Sequence, residues 1–397
     1  MSSKSLTTAV LFRKFLQQEY ISGIILLLSV LAAIIWINYA PVSYDLFRHM
    51  PLGIDTDAGN YSIPLYEWIN NGLMAIFFLV IGLELKREFI AGELATASKA
   101  RLPVAAALGG MLVPALIYML FNHGRPSAAG WGIPVATDIA LALGLLSLAG
   151  KHVPASARVF LCALAVADDL GAIIVIAVFY TSQIALIPLL CGLLLWLLLW
   201  TGNRLGIRHS GFYLLTGIVI WYCILLSGIH ATIAGVLVAL TIPAKTSAQS
   251  EAGITETIAV SPLQKIETAL HPWVAFVIMP LFALANAGMR TGSDFFPSLL
   301  NPVSAGICLG LVAGKYLGIS AVIRIMVRFK WAVLPAGASW RHMNGIALLA
   351  GVGFTMSLFI TGLAFNQEQM IVQAKYGILT ASVLSGILGI IMLGRKK

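Results

Sequence analysis

Asp168 and Asp169 are adjacent carboxylates in the middle of an apolar run, residues 157–179, ARVFLCALAVADDLGAIIVIAVF, of which Asp168 is the twelfth of 23. At the centre of a bilayer a carboxylate costs about 2.5–3.5 kcal/mol, so a chain that keeps two there uses them. Two more ionisable groups fall near the middle of apolar runs: Asp138, preceded by Thr137, and Lys315 in LVAGKYLGI. Facing lipid, the four would cost about 10–14 kcal/mol together, so they must share a polar interior. An Asp–Lys pair gluing two helices accounts for two of them and leaves two. Neighbours on a helix point about 100° apart, so Asp168 and Asp169 have different partners: one pairs with Lys315 while the other faces an ion path. Adjacent carboxylates repel when both are ionised, which lets protons compete for the pair. Hard oxygen ligands suit a hard cation such as Na+ or Li+. A site that holds either the cation or protons, but not both, exchanges them.

The elements that position these groups follow from composition. Hydrophobic residues are 59% of the 397-residue chain, charged residues only 10%, and mean hydropathy is +0.92. A globular domain carries about 25% charge, so a soluble core is excluded. Apolar runs near 20 residues, enough for about 30 Å of hydrocarbon, recur throughout. Twelve spans are expected, from 23–40 to 374–393, the seventh (212–226) and eighth (228–243) being short. The first run follows a polar, basic stretch with no small-residue cleavage site, so no cleavable signal peptide is expected.

The net charge of +9 is a matter of distribution rather than of nucleic-acid binding. With twelve spans, 20 of the 25 basic residues fall on one side, among them Lys86, Arg87, Lys99, Arg101, Arg324, Arg328 and Arg341. The opposite side receives Arg48, Arg125, Arg290 and Lys375. The positive-inside rule then puts both termini in the cytoplasm. Cys162, Cys191, Cys223 and Cys308 lie within spans without metal-ligand spacing and read as small packing residues.

The whole of 1–397 reads as one membrane domain. Residues 244–264, polar and on the basic side, read as a cytoplasmic linker. On the other side, residues 41–66 contain PLGIDTDAGNYSIPL, two β-prone stretches about a DTDAGN turn, expected as a hairpin. Its exposed edge could pair with another copy. A weak repeat relates PVAAALGGMLV from Pro103 to PVSAGICLGLV from Pro302. The two segments enter from opposite sides, as in inverted-topology repeats, here spans 3–5 and 10–12. Spans 4 and 11, the middle members, look interrupted mid-membrane: Gly132, Pro134, Thr137 and Asp138 in one; Gly345, Gly351 and Gly353 before Thr355 and Ser357 in the other. Irregular backbone is tolerated at that depth only where protein or water covers it. Half-helix ends carry about half a charge, and Asp138 is expected to balance positive ends and Lys315 negative ones.

Seven strings in order along almost the whole chain carry a family resemblance: GLELKRE (82–88), GIPVATDIALALG (132–144), LAVADDLGAI (164–173), SGIHATIAGV (227–236), LHPWVAFVIMPLFALANAG (270–288), LGLVAGKYLGI (309–319) and GVGFTMSLFI (351–360). The chain resembles the NhaA family of bacterial Na+/H+ antiporters. The resemblance implies an electrogenic, pH-regulated Na+(Li+)/H+ antiporter of the inner membrane, exchanging more than one H+ per Na+ without a cofactor. It implies that Asp168 and Asp169 bind cation and protons, Asp168 pairing with Lys315. Thr137 and Asp138 then lie where spans 4 and 11 cross. It implies a homodimer joined partly through the 41–66 hairpin. Glu84, Arg87, Glu88, Glu267 and His271 match a pH-sensing cluster; read from the residues alone, they are charged groups at the cytoplasmic ends of two spans. Where relatives often carry a second histidine, this chain has Thr268. His230 matches a family histidine, and by itself is equally a helix-packing residue.

Rival readings differ in specific features. Intramembrane aspartyl proteases bring their aspartates from different helices, and no GxGD string occurs here. A cation channel would need acidic rings and repeated filter loops. The remaining alternative is a Na+-coupled solute symporter of similar fold, against which stand the apolar lining and the lack of a core arginine to bind an anionic solute.

Overall fold

In hydrocarbon a backbone must satisfy its own hydrogen bonds, and these apolar runs do so as helices. The computed structural model describes residues 3–56, 59–149, 153–181, 184–244, 260–290 and 295–394. The helices are α1 (Ser3–Tyr39), α2 (Pro41–His49), α3 (Leu65–Ala91), α4 (Ala97–Asn122), α5 (Ile139–Leu148), α6 (Ala155–Phe179), α7 (Leu186–Arg204) and α8 (Ser210–Leu226). They continue as α9 (Thr232–Thr241), α10 (Pro262–Asn286), α11 (Phe295–Leu299), α12 (Pro302–Arg328), α13 (Trp340–Leu349), α14 (Phe354–Ala364) and α15 (Glu368–Gly394). Among the described residues eight helices are long and apolar enough to cross a membrane, or ten when each of two bent pairs counts as one. Helix α8 and the ten-residue α9 are shorter, and α9 is only about 15 Å long. The eighth run is thus less helical than its hydropathy predicts, because Gly228 takes a positive φ of 81° and the chain turns before Thr232.

Strands β1 (Pro51–Thr56) and β2 (Gly59–Pro64) pair antiparallel with Pro51 opposite Pro64 and Thr56 opposite Gly59. The hairpin expectation is met in its strands, while turn residues 57 and 58 lie outside the described residues, as do linker residues 245–259 and basic residues Lys151, Lys245, Arg395, Lys396 and Lys397. Lys375 departs from its expected place. It lies a full two turns inside α15 and is buried, because that helix begins at Glu368. Of the cysteines, Cys191 is exposed rather than packed.

Three helices contain one π-helical turn: Trp68–Leu73 in α3, Val274–Ile278 in α10 and Gly310–Gly314 in α12. Helix α4 shows how apolar residues serve both faces. Leu108, Leu112, Leu116 and Leu120 are exposed at four-residue spacing, whereas Ala106, Gly109, Gly110 and Pro114 turn inward. Such a helix faces lipid with its large residues and protein with its small ones. Its partner α12 presents Gly306, Gly310, Gly314 and Gly318, again four apart. A Cβ on Gly318 would lie 2.1 Å from the Gly109 carbonyl oxygen, and one on Gly314 would lie 2.8 Å from Pro114 Cα. The pairing of 109 with 318 and of 114 with 314 makes α4 and α12 antiparallel. A second glycine contact joins α9 to α3, where a Cβ on Gly235 would lie 2.2 Å from the Ala75 carbonyl oxygen.

Gly318→Val must therefore push α12 off α4, and overpacking of this kind costs about 1–3 kcal/mol. We expect a lower melting temperature in detergent. Gly362→Ala, whose Cβ would meet nothing within 4 Å, serves as the control and should melt as wild type.

Candidate functional site: a buried carboxylate cluster at two broken helices

The site starts from two interruptions. A 3-10 helix, Pro126–Val135, gives way to extended Ala136 and then to α5, with a bend of 46°. Helix α13 gives way to residues 350–353 and then α14, with a bend of 42°. The first half is 3-10 rather than α, in a segment whose Pro134 lacks the donor an α-helix would use. The two breaks cross in antiparallel sense. Asp138 N donates to Val352 O at 2.7 Å, Thr137 Oγ1 to Ala350 O at 2.8 Å, and Ser357 Oγ to Ile133 O at 2.8 Å.

Asp138 holds the crossing together. Its Oδ1 accepts from Leu141 N at 3.0 Å, capping α5. Its Oδ2 accepts from Thr355 N at 3.1 Å and from the Thr355 hydroxyl, at the start of α14. One carboxylate thus answers the orphan N–H groups and partial positive charge of two helix N-termini. Hydroxyls cover the carbonyls beside the breaks, and Lys315 Nζ donates to Asp168 Oδ2 at 2.6 Å. Both partners of that pair are fully buried, so charge meets charge at a distance a dipole end cannot match.

Lys315 follows the π turn of α12 directly, and Asp168 lies mid-way along α6. Asp169, one residue on, points elsewhere. A cavity of about 80 Å³ is lined by Asp169, Asp138, Thr137, Thr355, Glu84 and His271 among others, but not by Asp168 or Lys315. It is large enough for a few waters or a dehydrated ion and polar enough to hold them. Oδ1 of Asp169 is buried without a hydrogen-bond partner, whereas the Asp168 carboxylate has Thr137 beside it as well as Lys315. A buried carboxylate oxygen left so is costly. Among the described residues no three His, Cys, Asp or Glu side chains converge as a ligand set. A cation here would draw its other oxygens from hydroxyls, backbone or water.

The five charged residues at the far end of α3 and α10 divide into two groups. Glu84 and His271 line the cavity with Asp169. Arg87 pairs with Glu267 and lies 3.7 Å from Glu88. Beside this group Lys86 Nζ caps α9 through Leu240 O at 2.7 Å and Ile242 O at 2.5 Å. His230 is apart from the cavity, its Nε2 2.6 Å from Tyr180 O, as a packing residue would be. Sequence reasoning passed over two features, the hydroxyl caps on Ile133 O and Ala350 O and the buried Lys375. A serine or threonine within four residues of a mid-span glycine or proline was the available signal for the caps.

Comparison with known proteins gives the same picture along the whole chain. The family described as Na+/H+ antiporter 1 matches residues 13–393. A Flavobacterium johnsoniae protein named Na(+)/H(+) antiporter NhaA 2 is 47% identical over 394 residues, 99% of this chain and 94% of its own length. A Clostridium beijerinckii protein of the same name is 46% identical over 383 residues, 96% of this chain and 93% of its own. The Na(+)/H(+) antiporter NhaA of Acidithiobacillus ferrooxidans is 44% identical over 427 residues, 97% and 98% of the two chains. With apolar helices, a buried carboxylate cluster and near-full-length identity in accord, the chain is a multi-pass membrane protein belonging to the NhaA family of Na+/H+ antiporters.

Proposed function

We propose that this chain is an electrogenic, pH-regulated Na+(Li+)/H+ antiporter of the bacterial inner membrane, exporting Na+ in exchange for more than one H+. The observation that carries this reading is the buried, unpartnered Oδ1 of Asp169 on a small cavity, beside the sequestered Lys315–Asp168 pair. Asp169 binds the cation or a proton. A single carboxylate trading one H+ for one Na+ would move no net charge. The second proton comes from the pair: when the cation recruits Asp168, Lys315 loses its partner and releases a proton, which it regains when the cation leaves. Thr137 and Asp138 shape the cation site, and Asp138 also balances the two helix N-termini. Glu84, Arg87, Glu88, Glu267 and His271 sense pH, with Glu84 and His271 nearest the cation path.

The fold reading goes with this. Twelve spans result if α8 and α9 also cross, with spans 3–5 and 10–12 as inverted repeats; antiparallel α4 and α12 and the antiparallel crossing support that symmetry. Both termini are then cytoplasmic, residues 1–397 form one transporter domain, residues 244–264 link its halves on the cytoplasmic side, and the 41–66 hairpin joins a homodimer on the other. A Na+-coupled solute symporter is disfavoured by the cavity, since about 80 Å³ falls well below the ~300 Å³ or more of small-molecule pockets.

Everted vesicles carrying an imposed pH gradient test the function. Added Na+ or Li+ should collapse the gradient with wild-type protein, and Asp169→Asn should abolish the response. A gradient that survives Na+ across the pH range with wild-type protein would rule out antiport. The ion pair has its own test. Lys315→Ala leaves Asp168 buried and unpaired, which costs about 3–5 kcal/mol. The variant should melt well below wild type in detergent, and adding Asp168→Asn should restore much of the loss. Wild-type melting of Lys315→Ala would remove the pair from the account.

A further inference from the structure

Helix α10 has two unlike ends. At its start a capping box of Ser261 and Gln264 closes the first turn, and Glu267 and His271 follow within two turns. Its middle supplies Val274, Ala275 and Met279 to the wall of the cavity that Asp169 faces, across the π turn Val274–Ile278. Its other end, on the hairpin side, must find donors for carbonyls that no further helical turn can satisfy. A common solution is a glycine with positive φ just past the end. Gly288 stands in the right place but is not among the positive-φ glycines.

Side chains from three other helices do the work instead. Tyr44 Oη of α2 donates to Leu284 O at 2.8 Å and Ala285 O at 3.1 Å. Lys375 Nζ of α15 donates to Gly288 O at 2.9 Å. Asn38 Nδ2 of α1 donates to Met289 O at 3.0 Å, and Tyr376 Oη to Arg290 O at 2.6 Å. Lys375 is the ionisable member. Its Nζ gains from the hydrogen bond, and in the ammonium form from the negative end of the helix as well. Neither the cation cavity nor the cluster at the opposite end of α10 uses it.

We propose that Lys375 is a positioning residue for cation binding: with Tyr44 it pins the hairpin-side end of α10, so that the cavity wall across the π turn stays in register with Asp169. The reading rests on the antiport function above only for its transport readout. A π turn interrupts the regular hydrogen-bond ladder and is a place where a helix bends. With the hairpin-side end fixed, bending there is confined to the half that carries Glu267 and His271. With that end loose, the cavity wall shifts against Asp169 and cation affinity falls.

Two measurements on the full-length protein test this. The first is amide hydrogen exchange of purified protein over residues 284–290. Lys375→Met and Tyr44→Phe should each speed exchange there, and Lys375→Arg, which keeps a charged donor, should stay near wild type. The second is the Na+ concentration for half-maximal collapse of a pH gradient in everted vesicles. Lys375→Met should raise it about five-fold or more at a largely retained maximal rate. Tyr44→Phe should shift it in the same direction, and Lys375→Arg should not. Unchanged exchange in Lys375→Met overturns the pin. Faster exchange with an unchanged half-maximal Na+ concentration overturns its role in cation binding, as does a shift in Lys375→Met that Tyr44→Phe does not share. Wild-type vesicles that ignore Na+ would defeat the antiport reading itself, while the exchange result would still judge the pin.

Discussion

The structure depends on a single requirement: broken helices deep in a membrane must find partners for their free ends without water. Two interruptions at one depth leave two helix N-termini and the carbonyls before them unsatisfied. Asp138 resolves both N-termini at once, through Oδ1 to α5 and Oδ2 to α14. Thr137 and Ser357 resolve the carbonyls reciprocally, each hydroxyl reaching into the other break. The crossing is therefore a closed exchange of hydrogen bonds. Removal of any one member would expose a group that hydrocarbon cannot solvate. Because the crossing is self-sufficient, the carboxylates beside it remain available for other work.

Those carboxylates are separated by helix geometry. Asp168 and Asp169 are one residue apart, yet the first is committed to Lys315 and the second lies on the cavity. A buried pair such as Lys315–Asp168 is weak support for stability when compared with apolar packing, but breaking it is costly. That asymmetry means the pair persists when undisturbed, and loss of either partner is felt by the other. Asp169 has no such commitment, and its Oδ1 is buried without a hydrogen-bond partner.

The charged groups were legible in the sequence because the bilayer penalises them so heavily. Asp138, Asp168, Asp169 and Lys315 needed no structure to be singled out, and the breaks announced themselves through Pro134, Gly351 and Gly353. What escaped has physical reasons too. Lys375 is the second residue of the run 374–393 expected from hydropathy, where a lysine reads as an interfacial anchor whose long stem snorkels outward. Its ammonium instead turns to a carbonyl 87 residues away in the chain, which no local pattern encodes. For Lys315, helix geometry implied a pair with one of the two adjacent aspartates, but that this one is Asp168 followed only from the resemblance, because the distance that decides it exists only in three dimensions. The π turns leave no mark on hydropathy, since a residue added to a turn changes neither length nor composition perceptibly. The α12 glycine stripe was visible in letters, but its meaning waited on the facing helix.

Glycine also fixes how the helices pair. Backbone-to-backbone contact welds α4 to α12 through Gly109 and Gly318, and α3 to α9 through Gly235 and Ala75. Helices in such contact cannot slide without collision, so each pair behaves as one body. The cavity lies beside these pairs: Glu84 from α3 and His271 from α10 line it with residues 137 and 138 of the crossing, Thr355 of α14 and Asp169 of α6. Near it the contacts between α3, α10 and α14 are made by larger side chains, Phe78 and Phe282 each packing on Phe359 with ring centroids 5.4 and 6.2 Å apart. Rings can slide and re-pack where backbones cannot. Aromatic rings thus join α3 and α10 to α14 next to the cavity that Asp169 lines.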